Sequence, residues 1–489
     1  MRKFSLLIFS VICTATSFAQ QFNFNNNCLQ AYRAIFKLRM EEGKSWLAKE
    51  KKEHPANYLP YFIENYIDFL QLNINDNPAL YEEAEKRVEA RISQLKKGDS
   101  KSPYYLYTQA DVHLQWALCK IKFGDNLSAV FEIKKAYSML EENQQKFPDF
   151  KPNMKSLGLL HTLFGAVPDK YKFGAKLLGL KGSIEQGLKE LTTVMKDEQF
   201  VFREETVILY TLLVLHLKKD EQTAWQLVEQ TRLPLGDNLL NHFVVATVAN
   251  HTGKNDQAIA VLTKRPVGAA YYPFPVLDFL LGNALLNKLD DDAVAYLKKF
   301  IAANKGRSYV KEAYRKLAWY YLIKGQPDLY KKYMKQVLAV KYGPTDEDKS
   351  AQKEALMDFI PHRELLKARV LSDGAYWEEA LQTLQSVKPE QLTRQRDQIE
   401  YYYRKARIYH ESGQETEAVK YYLLAIQKGE QTTYYFAANA CLKVASIFEK
   451  QNKKSSAAQY YKKAMVLPKD EYANSIDAEA KAGLNRLGI

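Results

Sequence analysis

The sequence predicts an all-α protein, a solenoid of antiparallel helix pairs stacked side by side. Three observations predict it: a helical pattern duplicated across Glu400–Pro468, small residues recurring 34 to 39 positions apart, and glycine or proline breaks where that recurrence needs turns. In the first copy Tyr402, Ala406 and Tyr409 share one face of a 3.6-period helix. Gly413 interrupts it, and a second face runs through Ala418, Tyr422 and Ala425. The second copy has Ala445 and Phe448, a break at Asn452, then Ala457, Tyr461, Ala464 and Pro468. Small residues at Ala418 and Ala457 let two helices approach closely, and the aromatics four positions later fill the space beside them. Such a hairpin has one apolar side that it cannot bury alone, so it must stack on a neighbour.

This wording resembles the tetratricopeptide repeat, whose pattern is W-x2-L-G-x2-Y, then A-x3-F, then P, over about 34 residues. Tyr402 stands at the Trp position, Ala406 at the Gly position, Tyr409 at the Tyr position, and Ala418 with Tyr422 at the A-x3-F pair; Cys441 takes the Trp place in the second copy. Ala418 and Ala457 are 39 residues apart, so the turn at Lys428–Thr433 is longer than the family's. The resemblance implies a right-handed superhelical solenoid of about ten to twelve antiparallel helix pairs, serving as a non-catalytic binding scaffold.

From the start of the chain, Arg2 and Lys3 precede an apolar run from Phe4 to Cys13, and Ser17-Phe18-Ala19 supplies a small-x-small site. That order predicts a secretory signal peptide over residues 1–19. The apolar run is too short for a membrane span, which needs about 20 residues. Cys13 follows Ile12 inside that run, which argues against a lipoprotein anchor. The expected location is outside the cytoplasm: the periplasm, or association with the outer membrane, in a cell with two membranes.

Residues 20–156 read as degenerate helical repeats. Helix pairs are expected at Cys28–Met40 with Lys44–Glu53, at Leu59–Leu72 with Ala79–Lys97, and at Pro103–Phe123 with Asn126–Lys146. Gly43, His54-Pro55, Pro78, Gly98 and Gly124 act as breaks. Residues 193–340 read as central repeats: Glu204–Lys218 with Glu221–Thr231, Asn241–His251 with Asp256–Thr263, Val276–Asn287 with Asp291–Ala303, and Val310–Lys324 with Pro327–Val340. Ala224 and Ala258 lie one family period apart, 34 residues. Residues 354–489 hold the C-terminal repeats, beginning with Arg363–Ser372 and Trp377–Val387 and clearest at 400–468. Gly253, Gly325, Gly374 and Gly413 fall in turns within pairs, where a helix C-terminus favours a left-handed residue. Pro327 falls at a helix start, where its missing N–H has no cost.

Two stretches interrupt the pattern. Residues 341–353, polar and containing Gly343-Pro344, read as a longer connection. Residues 157–192 are glycine-rich, with Gly158, Gly165, Gly174, Gly179, Gly182 and Gly187. Gly174-x4-Gly179 is followed by Leu180 and Lys181, whereas a phosphate-binding loop needs Lys directly after the second Gly and then Ser or Thr. The glycines therefore read as close helix packing, or alternatively as a contact surface around Pro168–Lys172, Lys176 and Lys181. His161–Leu191 also resembles the Iml/tetratricopeptide-39 group, which implies a repeat lineage and no chemistry.

The composition is 46% apolar and 26% charged, with 33 tyrosines, enough for a continuous helical core. Beyond the predicted signal peptide, Cys28, Cys119 and Cys441 are odd in number and far apart, so neither a disulfide framework nor a CxxC metal site is implied. The net charge is +13, but Lys and Glu alternate along most helices, as in Glu82–Lys97, so a solvated surface outweighs a nucleic-acid patch. The eight histidines form no HExxH or H-x-x-H, and no G-x-S-x-G is present. Acidic pairs such as Glu378-Glu379 sit at helix starts, where they favour the helix dipole. No catalytic residue, cofactor or metal is expected.

Carried over from the resemblance, the concave groove is lined by Arg315, Trp319, Leu365, Arg369, Tyr403, Arg407 and His410. Arginines beside aromatics suit carboxylate-bearing or extended peptides, though the same residues also read as ordinary polar positions on helix faces. The expected function is an exported scaffold that binds a protein or peptide partner along that groove. A glycan-associated binding protein of the cell envelope, supported by the tyrosines, is the alternative. An enzyme whose site forms only in the fold is the other.

Overall fold

The computed structural model describes residues 21–167, 179–231, 233–357 and 359–489. The predicted signal peptide and the Pro168–Lys172 turn, with Gly174 and Lys176, lie outside the described residues. Every regular element described is helical, and many helices pack against the one that follows them. The helices gather in two compact units. One comprises described residues of 21–73, 78–206 and 268–272; the other comprises 74–77, 207–267 and 273–489.

In the first unit the pair Pro103–Phe123 and Asn126–Lys146 has the expected bounds. The Ser102 hydroxyl accepts from the Tyr104 N–H, Pro103 opens the helix, and Gly124 closes it at φ +89°, so start and stop are set locally. Inside this unit an ion cluster is sealed among aromatic rings. Lys155, 2% exposed, lies 2.9 Å from Glu205 Oε1 and 3.4 Å from Asp111 Oδ1. The hydroxyls of Tyr32 and Tyr66 donate to Glu205 Oε2 at 2.9 and 3.0 Å, and Phe202 covers the ammonium at 4.9 Å. A buried cation with this many acceptors is satisfied, and burial of Lys155 is outweighed by the charges of Asp111 and Glu205, which push its pKa up.

In the second unit the duplicated pattern becomes Gln395–Glu411 with Glu415–Gly429, and Tyr435–Lys450 with Lys454–Val466. Ala406, Ala418, Ala425, Ala445, Ala457 and Ala464 are all fully buried in one core, with Tyr422 and Tyr461 filling the spaces beside them. Burying each such aromatic contributes about 1.5–3 kcal/mol. A closing helix, Ala473–Leu487, follows the last pair and packs Ile476 and Ala480 onto the same core.

Several boundaries differ from the sequence reading. Gly43 is not a break: it lies inside Met40–Glu53, and a Cβ there would meet Ile35 at 2.4 Å, so glycine serves helix contact rather than a turn. The turn is instead made by Leu38 at φ +64°. Gly374 has φ −94°, and its neighbour Ala375 carries the left-handed conformation at φ +62°. The stretch 341–353, read as a connection, instead opens the helix Asp346–Leu356, which starts inside it and runs three residues beyond. Its signal is capping rather than hydrophobic period. The Thr345 hydroxyl accepts from the Asp348 N–H, three acidic residues fill the first turn, and only Asp348 and Ala351 are buried. Asp348 in turn accepts from the N–H groups of Tyr309 and Glu312, at 2.7 and 3.0 Å, and so caps Val310–Ile323.

The glycine-rich stretch also contains a pair, Lys151–Gly165 with Ile184–Met195. The two helices meet at Gly158 and Gly187. A Cβ on Gly187 would lie 2.2 Å from Thr162 Oγ1 and 2.3 Å from the Gly158 carbonyl oxygen.

Candidate partner-binding site

The sequence-predicted site residues all lie on first helices of pairs in the second unit: Val310–Ile323, Arg363–Asp373 and Gln395–Glu411. The structure brings three of them into one stack. Trp319, 1% exposed, is flanked by the guanidinium groups of Arg315 at 4.7 Å and Arg369 at 4.4 Å, with the Lys316 ammonium at 4.5 Å. Cations gather on an indole because its π face is negative. The helix Asp346–Leu356 completes the group. Glu354 Oε1 accepts from Trp319 Nε1 at 2.7 Å, and its other oxygen lies 3.4 Å from Arg315 Nη1, which also donates to Ser350 at 2.9 Å. Arg315 is held from its own helix by Glu312 at 2.5 Å.

Beside this stack is a cleft lined by Lys353, Arg369, Arg396, Arg404, Glu400 and Tyr435, with Glu354, Glu471 and Tyr472. Arg404 donates through Nε and Nη2 to Glu400 Oε1, at 3.0 and 2.8 Å. Arg396 lies 3.7 Å from Glu400 and 3.5 Å from Glu471, and stacks on Phe359 and Phe436 at 4.6 and 4.9 Å. Burial would raise the Glu400 carboxyl, but the charges of Arg404 and Arg396 hold it below its ordinary range. Burial raises the Glu471 carboxyl against the pull of Arg396, with the neighbouring carboxylates adding to the rise. The free space is small, about 50 Å³, the size of a functional group rather than of a cofactor.

The remaining predicted residues do not join the stack. Tyr403, 3% exposed, is packed against Phe436 and Tyr422 and offers a ligand no surface. Trp319 and Arg315 are likewise buried, so they support the site from beneath. Leu365 is core. Arg407 is held by Glu411 of its own helix, with Nε donating at 3.0 Å. His410 lies 3.4 Å from the Tyr422 hydroxyl, and burial together with Lys450 and Lys443 lowers its pKa. Arg369 remains partly exposed, its side chain 27% accessible, and its pairing with Asp373 at 4.0 Å is the longest of these ion pairs.

Sequence reasoning missed Arg396, Glu400, Arg404 and Glu354. Arg396, Glu400 and Arg404 recur at four-residue spacing on one helix, an intrahelical ion-pair signal visible in the sequence. Glu354 carried no such signal, because its partners stand 35 and 39 residues earlier on another helix.

Residues 399–427 match the family model described as tetratricopeptide repeat. Comparison with curated proteins found no match. Among solved structures, the chain is similar to the tetratricopeptide-repeat domain of P58(IPK), at 15% identity over 87% of this chain and 98% of that one, TM-score 0.22. It is also similar to yeast Tom70, at 13% identity over 90% and 97%, TM-score 0.24. A third is a monomeric mutant of IFIT1 with m7Gppp-AAAA, at 14% identity over 80% and 86%, TM-score 0.28. Likenesses this distant carry nothing about residues or partners. The matched segment coincides with Gln395–Glu411 and Glu415–Gly429, the pair in which small and aromatic residues alternate across a buried seam. Residues 399–427, the helix pair that matches the family model, are a tetratricopeptide repeat.

Proposed function

We propose that this protein is a non-catalytic scaffold that captures an acidic segment of a protein or peptide partner on the first-helix face around Arg369. The observation that carries the reading is a partly exposed guanidinium seated on a buried indole, beside a cleft with room for little more than a carboxylate. Four cationic side chains, Lys353, Arg369, Arg396 and Arg404, line that cleft against three acidic ones, Glu354, Glu400 and Glu471. Because Arg315 and Trp319 are locked by Glu312, Glu354 and Ser350, Arg369 has little side-chain entropy left to lose when it meets a carboxylate. Arg407 and Arg369 both act on Asp373, which links Arg407 to that face.

Arg369 and Arg407 are the residues to reverse. A displayed library of random peptides with free C-termini, panned on the purified wild-type chain, is expected to enrich acidic or carboxylate-terminal sequences. The Arg369→Glu/Arg407→Glu variant is expected to lose that enrichment. Equal enrichment on both proteins, or selection without acidic character, would sink the reading.

The scaffold is further proposed to work outside the cytoplasm, on the strength of the Met1–Ala19 pattern. No described helix is long and apolar enough to cross a membrane. N-terminal sequencing of the protein from its native cells should then begin at Gln20. A start at Met1 would count against export.

A further inference from the structure

The glycine-rich stretch shapes a pocket in the first unit that the partner-binding reading does not use. Gly158 and Gly187 bring Lys151–Gly165 and Ile184–Met195 to backbone contact, and that closeness places His161 of the first helix against Glu190 of the second. His161 Nδ1 lies 2.6 Å from Glu190 Oε2, and the Gln186 amide donates to Glu190 Oε1 at 3.1 Å while its nitrogen lies 3.1 Å from His161 Nδ1. Opposite them, on Asn126–Lys146, the Tyr137 hydroxyl donates to Glu141 Oε1 at 2.8 Å, and its ring meets the His161 ring edge to face at 5.9 Å. Burial and the Glu141 hydrogen bond raise the Tyr137 pKa, so that hydroxyl stays a donor at neutral pH.

Between these walls is a cavity of about 470 Å³, inside the roughly 300–1,000 Å³ of small-molecule sites. Its apolar floor is Tyr137, Met154 and Leu157. Its polar rim is made of planar groups: the Glu141 and Glu190 carboxylates and the amides of Gln144, Gln145 and Gln186. Gln144 Oε1 is buried with no hydrogen-bond partner among the described residues. A buried acceptor in that state gains from a hydroxyl that reaches it.

We propose that this pocket binds a neutral saccharide. Carboxylates and amides offer paired acceptors and donors that match vicinal hydroxyls, and an apolar floor suits the C–H face of a sugar ring. Two carboxylates disfavour an anion. Lys181, also among the lining residues, disfavours a second cation, and both carboxylates already accept hydrogen bonds from neutral or histidine partners.

The test is calorimetric titration of the purified full chain with glucose, galactose, mannose, N-acetylglucosamine and their common disaccharides, and separately with spermidine. At least one sugar is expected to bind. Gln186→Ala and Glu141→Gln, on opposite walls, should each weaken it about tenfold, corresponding to loss of one hydrogen bond to the ligand. Arg369→Glu should bind that sugar as the wild type does, which separates this site from the partner-binding face. Circular dichroism checks that both pocket variants keep their helix content. Absence of binding by every sugar, unchanged affinity in both pocket variants, or binding of spermidine alone would overturn the proposal.

Discussion

The guanidinium of Arg369 lies 4.4 Å from the centroid of the Trp319 ring, which Arg315 approaches to 4.7 Å. These two and Lys316 share one indole because acidic side chains surround them: Glu312 and Glu354 hold Arg315, Glu312 also holds Lys316, and Asp373 faces Arg369. The indole is buried and the outer cation is partly accessible, so stability and recognition should separate when each is removed.

Trp319→Ala removes a fully buried ring and leaves Glu354 without its indole donor. We expect a loss of about 3–5 kcal/mol in urea unfolding. Arg369→Ala, on the accessible side of the same ring, should cost no more than about 1 kcal/mol. Equal losses for the two substitutions would mean that the stack is not organised as described.

Glu400→Ala takes away the carboxylate to which buried Arg404 donates twice, and should destabilise the chain by about 3–5 kcal/mol. Replacing both residues, as in Glu400→Leu/Arg404→Met, should recover much of that loss, because no uncompensated charge is left in the core. A double variant as weak as the single one would show that the pair contributes more than mutual neutralisation.

The same carboxylate sets a pH dependence. Its folded pKa lies below the ordinary 4.5, so its contribution is fully present above about that pH. The contribution is lost as pH falls through the lower folded value. Stability should therefore decline on acidification below the ordinary carboxylate range, and Glu400→Gln should flatten part of that decline. Chemical denaturation at a series of pH values reads the slope, and identical slopes for variant and wild type would refute the assignment.

Gly187→Ala places a methyl group where Thr162 and the Gly158 carbonyl already stand. Parting the two helices should cost about 1–3 kcal/mol and separate His161 from Glu190. Thermal unfolding checks the first effect, and the tautomer-sensitive shifts of the His161 ring in NMR check the second. A variant as stable as the wild type would contradict the close approach.

Cys28, Cys119 and Cys441 are buried, and burial pushes each thiol up to about 12. A chain beginning at Gln20 should show no reaction with a thiol reagent at pH 8 when folded, and three reactive thiols in denaturant. Reaction of the folded chain would place at least one of them at the surface.

Helix pairing was legible wherever apolar period and breaks agreed. Pro103–Phe123, Asn126–Lys146 and Glu221–Thr231 were readable to the residue, because capping and period point to the same ends. Asp346–Leu356 was hidden, since a helix with only two buried residues leaves almost no period to read. In Lys151–Gly165 and Ile184–Met195 the glycines that fit the helices together looked like interruptions.

For the site, first-helix positions pointed to Arg315, Trp319 and Arg369, which meet in one stack. The same rule chose Tyr403, which is core, because helix position does not say which neighbour covers a side chain. By itself the sequence determined that this chain is helical, repeats in pairs and contains a tetratricopeptide repeat, because period, caps and small-residue spacing are local properties of a chain. Only the tertiary structure decided that Glu354 closes on Trp319, that Glu400 holds Arg404, and that Gly158 meets Gly187. Those contacts depend on how separate helices pack, and partner choice between helices leaves no period in the sequence of either one.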